Sequence, residues 1–415
     1  MSILKSMNIG VSGLRANGRS MSTIGDNIAN VNTVGYKRSR TNFNDVLAAT
    51  TMGVGDGVGV GGQQQHFEQG TLEMTGVSTD MAITGRGFFA VQGTVDGREG
   101  EFYTRAGQFM VNKDGLMVTT GGLKLQGYGV DSNGEINQAS VGDLQVGGIT
   151  APPQATTEME VGVNLDADEE VLTDPWDPAN PSETSNYSTS VTMYDSLGNA
   201  IETEVYYRKT GPNSWEYHAM VDGGDVTGGT AGTPTEIGTG TLDFDTDGNL
   251  TTAMPVNVSF NPINATQPQD VTIDFTGTTQ FAGDSTLREL DQDGFTSGEL
   301  RDLEIAQDGT ITGIFSNGER QTLGQVALVD FQAPEGLNRL GNNLWDESQM
   351  SGEPMIGTPG SGGRGGVAAG ALEGSNVDLA HEFVKMIASQ RGYQANARTV
   401  TTGDEMLQEA MNLKR

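Results

Sequence analysis

The run Leu379-Ala380-His381-Glu382-Phe383-Val384-Lys385-Met386-Ile387, continued to Met411, decides how the rest of the chain is read. Within it Leu379, Phe383, Met386, Gln390, Tyr393, Ala397, Val400, Asp404, Leu407 and Met411 succeed one another at alternating steps of four and three. A repeat of about 3.5 residues marks a coiled-coil seam, narrower than the apolar face of a globular helix. No proline interrupts it. Ser375 or Asn376 suits the N-cap, Asp378 the first turn, and Lys414 and Arg415 the last turn. The seam is thin and carries Gln390 and Asp404, so it predicts a helix that needs a partner.

The other end of the chain supplies one. Ile3, Met7, Gly10, Leu14, Asn17, Met21, Ile24, Ile28 and Val31 show the same alternation. Helices are therefore expected over 1–31 and through the last forty-odd residues, packing on each other and on other copies. The blander reading is two amphipathic helices laid on one globular core. Between the ends the chain is rich in glycine and β-branched residues. Sixty glycines and 6% aromatic residues in 415 favour turn-rich β structure over a large α/β enzyme core.

Charge narrows the function classes. A formal charge of −31 argues against a nucleic-acid binder, which needs a basic footprint. Residues 151–285 hold 22 acidic and 2 basic side chains, whereas residues 1–50 hold 6 basic and 2 acidic. An acidic middle between near-neutral ends suits a solvated outer domain and associating termini. There is no cysteine, so disulfides play no part. No run of eighteen apolar residues predicts a membrane span, and the N-terminus lacks the apolar block and cleavage site of a secretory signal.

Along the chain, Asn30, Asn32 and Gly35 end the first helix. The segment Asn27-Ile28-Ala29-Asn30, Asn32-Thr33 and Gly35-Tyr36-Lys37 resembles the N-terminal signature of the bacterial flagellar rod and hook protein family. The segment Ser375-Asn376-Val377-Asp378-Leu379, Glu382-Phe383 and Gln390-Arg391-Gly392-Tyr393-Gln394-Ala395-Asn396-Ala397 resembles that family's C-terminal motif. Phe102 to Gly107 followed by Asn112 to Gly115 is similar to its β domain. The resemblance covers roughly residues 1–150 and 285–415; the middle matches no motif.

The expected fold class is mainly β with terminal helices. Residues 1–40 and 371–415 are read as a coiled-coil domain, 41–70 and 357–370 as connectors, the second flexible and glycine-rich. Residues 71–150 and 286–356 are read as a split β domain, and 151–285 as an acidic β domain inserted into it. Period-two runs at 81–84, 87–91, 109–111, 116–118, 123–125, 190–194, 203–207, 215–221, 240–244, 271–275, 303–306, 311–315 and 323–330 predict strands. Asp114-Gly115, Asn133-Gly134, Asp308-Gly309 and Asn317-Gly318 predict hairpin turns.

Chemistry is sparse. Asp243-Phe244-Asp245-Thr246-Asp247-Gly248 resembles the start of a calcium loop, but its twelfth position is Met254, so an aspartate-rich turn is favoured. Gly53 to Gly62 lacks the Gly-Lys-Ser/Thr of a phosphate loop. Gly283-Asp284-Ser285 lacks a base: His66, His218 and His381 are scattered. No catalytic, cofactor or metal site is expected. The resemblance implies a hook-type subunit, because rod-type members match only the outer segments. It further implies a helical homopolymer that transmits torque through a bendable joint in the flagellum outside the cell. Implied partners are the distal rod protein, a hook cap, a hook–filament junction protein and the flagellar type III export apparatus, with export lacking a cleaved signal. A distal rod subunit, or a secreted β-rich adhesin or glycan-active protein, is the alternative.

Overall fold

The structure, a computed structural model, describes residues 3–47, 55–131 and 134–412, with only the backbone described at Ile3 and Ala410. The expected roles of Asn133, Lys414 and Arg415 lie outside the described residues, as does the start of the 53–62 glycine run. The chain divides into two compact units. One comprises 1–149, 301–314 and 320–415, the other 150–300 and 315–319.

The first unit holds both long helices, α1 over Ile3–Ala29 and α2 over Leu379–Asn412. The end of α1 is set by its own asparagine: Asn30 Nδ2 donates to the Asp26 carbonyl at 2.8 Å, and Thr33 Oγ1 donates to Asn30 Oδ1 at 3.1 Å. The start of α2 differs from expectation. Asp378 is the cap, its Oδ1 accepting the N–H groups of Ala380 at 2.9 Å and His381 at 3.1 Å. Asn376 is diverted to another task, described below. Residues Ala371–Glu373, assigned to the terminal coiled-coil domain, form a strand paired with Leu72–Met74.

Beyond α1 the chain forms an antiparallel hairpin, Ser39–Leu47 with Gly55–Gln65. The hairpin doubles back along α1. Thr23 bonds Thr41 through their hydroxyls at 2.9 Å, and the Val58 N–H donates to Ser12 Oγ at 3.1 Å. Most of the remaining strands join one sheet, in which Arg320–Val326, Lys124–Val130, Phe88–Val95, Arg98–Thr104, Leu344–Asp346 and Asn338–Gly341 follow in order, each antiparallel to the next. Phe88, Tyr103, Phe331 and Trp345 meet edge to face in its core, with Phe67 against them.

Residues 357–370 are not a loose link. Gly366–Ala369 pairs in register with Met81–Thr84. The preceding turn is knitted by Arg364, which donates to Ser361 Oγ at 3.0 Å and to the Thr358 carbonyl at 3.3 Å. The glycines there supply tight turns, not slack.

The second unit is a β-sandwich. Glu158–Asp166 is central to one sheet, antiparallel to Thr286–Gln292 and parallel to Gln269–Asp274 and Thr279–Phe281. The other sheet is a meander, Tyr187–Tyr194, Ala200–Gly211, Ser214–Asp222 and Pro234–Asp243. Their inner faces enclose Val163, Leu165, Tyr207, Trp215, Leu242 and Phe275, all fully buried. Trp215 Nε1 donates to Gln280 Oε1 at 3.2 Å, so even its polar atom is satisfied. The aspartate-rich segment closes as a turn: Asp245 Oδ1 accepts the N–H groups of Asp247 at 2.9 Å and Asn249 at 2.8 Å. The strand Glu158–Asp166 lies outside the expected runs, although Met159, Val161, Val163 and Leu165 alternate in it and are all buried.

Candidate assembly interface

The helices run antiparallel, and their contact is built from small and polar side chains. Gly10 faces Val400, Gly13 faces Asn396 and Asn17 faces Gly392. Ser20 Oγ and Ser389 Oγ share a hydrogen bond at 3.3 Å, and Asn27 Nδ2 donates to Glu382 Oε2 at 3.1 Å. A Cβ added at Gly13 would stand 2.6 Å from the Asn396 amide, so glycine sets how closely the backbones approach.

This contact keeps the 3.5-residue spacing but turns it away from the apolar stripe. On α1, Gly10, Asn17 and Ile24 face inward as expected, while Gly13, Ser20 and Asn27 occupy the places assigned to Leu14, Met21 and Ile28, which are half-buried. Met7 and Val31 are also half-buried. On α2, Val400 touches α1, and Glu382, Ser389 and Asn396 replace Phe383, Gln390 and Ala397 at the contact. Side-chain size favours Leu14, Met21 and Phe383 at the seam, whereas close helix approach selects small residues.

The large apolar side chains are consequently left in water. Phe383 is 50% exposed, Val384 66% and Ile387 51%. Leu379, Tyr393, Met406 and Met411 are exposed as well, as are Gln390, Gln394 and Asp404, whereas Met386, Ala397 and Leu407 are half-buried. Apolar surface of this extent on one helix marks an interaction face.

The two chain ends are clamped at one point. Glu373, fully buried, accepts Lys37 Nζ at 2.6 Å and the Gly70 N–H at 2.9 Å on Oε1, and Arg105 Nη1 at 3.3 Å on Oε2. Its carbonyl accepts the Gly35 N–H at 2.7 Å. Burial pulls the Lys37 ammonium below its ordinary pKa against the pull of Glu373, and does the same to the Arg105 guanidinium. Gly35 sits at φ +70° with the Arg105–Ala106 backbone where a Cβ would be, so only glycine fits.

The motif residues surround this clamp. Asn27 is 1% exposed; its amide nitrogen donates to the Ser39 carbonyl at 2.8 Å and its oxygen accepts the Ser39 N–H at 2.9 Å and Tyr36 Oη at 3.2 Å. Tyr36 is buried, its hydroxyl pushed up to about 12 by burial and then by Asp26. Asn376 Oδ1 accepts the Arg38 N–H at 2.7 Å, and its Nδ2 donates to the carbonyls of His66 at 2.8 Å and Glu68 at 3.0 Å. Asn32 is exposed. Sequence reasoning missed Glu373 and Arg105. Lys37, fully buried in the segment that leads from α1 into the hairpin, is the signal that required a carboxylate.

Among the described residues, no group of three histidine, cysteine, aspartate or glutamate side chains is placed to hold a metal ion, and no helix is long and apolar enough to cross a membrane.

Two long helices at the chain ends, clamped at one polar hub, with a β unit inserted between halves of another, define the flagellar axial class of rod and hook subunits. Residues 7–37 match the family described as flagella basal body rod protein, and 368–413 the flagellar basal body rod FlgEFG protein C-terminal family. Residues 82–166 match the flagellar hook protein FlgE/F/G D1 domain, and 164–295 the flagellar basal body protein FlaE D2 domain. The chain is 36% identical over 408 residues to the flagellar hook protein FlgE of Escherichia coli strain K12, covering 97% of this chain and 98% of that one. It is 33% identical to the flagellar hook protein FlgE of Borreliella burgdorferi, covering 99% of this chain and all of that one. The chain belongs to the flagellar hook protein family. The crystal structure of the Helicobacter pylori flagellar hook protein FlgE2 shares its fold, with a TM-score of 0.50 at 18% identity over 72% of this chain and all of that one.

Proposed function

We propose that this chain is the structural subunit of the flagellar hook, polymerising outside the cell into a flexible tube that carries torque from rod to filament. It is not an enzyme. The exposed apolar side of α2, with Phe383, Val384 and Ile387 in water, carries the reading. A face of that kind has no use in a solitary molecule, and a head-to-tail contact that does not close propagates as a helix.

In this reading residues 1–40 and 371–415 form the inner tube. The split β domain over 71–150 and 286–356 and the acidic domain over 151–285 lie outside it. The stripes running from Ile3 to Val31 and from Leu379 to Met411 are the surfaces that meet other copies. The distal rod protein, the hook cap, the hook–filament junction protein and the type III export apparatus are its partners.

Electron microscopy of the concentrated chain tests this, beside a truncation lacking residues 379–415 that keeps Glu373. Curved tubes from the full chain and none from the truncation are expected. A full chain that stays monomeric when seeded overturns the reading, and a straight, stiff polymer moves the protein to the distal rod.

A further inference from the structure

A cleft of about 490 Å³ opens where α1, α2 and the base of the hairpin meet. In a chain of charge −31 its wall is basic: Arg38, Arg40, His66, His381 and Lys385, with Glu382 as the one acid. Of its arginine and lysine cations two have carboxylate partners, Arg38 with Glu68 at 2.9 Å and Lys385 with Glu382 at 2.9 Å. Arg40 has none among the described residues; its Nε and Nη2 reach only the Gln64 amide oxygen, at 3.0 and 2.7 Å. Burial, then Arg38 and Arg40, hold the His66 imidazole below its ordinary pKa, as a locally positive cleft requires. Glu68 and Glu335 act on His66 in the opposite sense and do not offset this.

The far part of the same hairpin has the complementary character. Beyond Arg40 and through Gln65 its only charged residues are Asp45 and Asp56, both exposed and neither paired among the described residues. Phe43, Asp45 and Leu47 share one side of their strand by its two-residue period, and Phe43 and Leu47 are exposed. The irregularities in the ladder fall where the partner strand carries the extra residue, so this alternation is intact. Within one copy Asp45 lies about 17 Å along the strand from Arg40, too far to neutralise it. The hairpin is also held along α1 by Ser12, so it cannot fold back.

We propose that the cleft receives the outer hairpin edge of a second copy, with that copy's Asp45 set against Arg40 and Lys385. Its Phe43 and Leu47 then rest on Ala388, the exposed apolar residue of the wall. The contact is continuous with the helix faces that assembly covers, and it rests on the assembly reading above. It fixes the axial offset between neighbours, because the outer hairpin carries its charge only near Asp45 and Asp56 and each copy presents one such cleft.

Charge reversal tests it at low ionic strength, where an exposed pair is least screened. D45R and R40D each raise the concentration needed for polymerisation about tenfold or more, and D45R/R40D together return it to within about threefold of the parent chain. Monomer circular dichroism and melting stay as in the parent for all three, which separates loss of docking from loss of fold. As a second measurement, D45C with K385C in this otherwise cysteine-free chain gives disulfide-linked ladders from polymers and no intramolecular bond. Single reversals that assemble like the parent, or a double reversal that restores nothing, overturn the proposed contact while leaving assembly intact. A parent chain that never polymerises defeats the assembly reading instead.

Discussion

The β-sandwich of residues 150–300 removes Trp215, Tyr207 and Phe275 entirely from water, whereas the helix pair leaves Phe383 and Ile387 half in it. Both regions contain large apolar side chains at regular spacing. They differ in what is spent on the internal contact. The sandwich turns its largest residues inward across two sheets and completes itself. The helices meet through Gly10, Gly13, Asn17, Ser20 and Asn27 and keep their largest residues for outside use. Stability within a copy and association between copies are thus assigned to different side chains, and each can be altered without the other.

The sharpest break of that separation is F383D. A charge at the centre of the exposed face raises the concentration needed for polymerisation about 100-fold, the loss of a contact hot spot worth roughly 3 kcal/mol. The monomer's melting curve moves by no more than about 0.5 kcal/mol, because an exposed side chain is replaced. A monomer destabilised as strongly as assembly is would erase the distinction. W215A is the converse. Truncating a fully buried indole costs about 3–5 kcal/mol in a melt of the sandwich unit, with polymer formation unchanged where that unit stays folded.

The clamp stands between these two cases. E373A strands Lys37 and Arg105 without their carboxylate, a loss of about 3–5 kcal/mol in a denaturant titration of the first unit. The helices then splay, so assembly weakens together with stability. G13V is smaller, about 1–3 kcal/mol, since the Asn396 amide must move to admit the side chain; hydrogen exchange reads it as earlier opening of the α1–α2 pair. The smallest effect is at Glu101, exposed at its edge of the sheet, whose carboxyl is held above its ordinary value by partial desolvation and then by Glu347. There the folded state binds the proton more tightly than the unfolded chain. Stability from this group therefore falls as pH rises through the window between the ordinary glutamate value and the raised one. E101Q flattens that limb of the pH–stability curve and leaves polymerisation alone.

Sequence periodicity exposed much of this fold. The alternation at Tyr187–Tyr194 and Thr310–Phe315 marks half-buried strands directly, and the 3.5-residue repeat reports two helices that meet. The phase of the meeting was hidden. A repeat fixes spacing, while the face turned to the partner depends on how closely the backbones come, and glycine at 10 and 13 reverses the usual preference for leucine and methionine. The strand Ala371–Glu373 was invisible because three residues carry no period, and its pairing with Leu72–Met74 is wholly tertiary. The motif residues Asn27 and Asn376 were legible as marks of kinship, but their work, binding backbone groups from both ends of the chain, needed the geometry.

The buried carboxylate of Glu373 has a temporal consequence. It lies 336 residues from Lys37 and 268 from Arg105. Both cations stay hydrated until nearly the whole polypeptide is present, since neither can leave water alone without a cost of several kcal/mol. The join between beginning and end is therefore a completion check: a chain cut short before residue 373 cannot shut it, and so never offers its neighbours a finished helix pair.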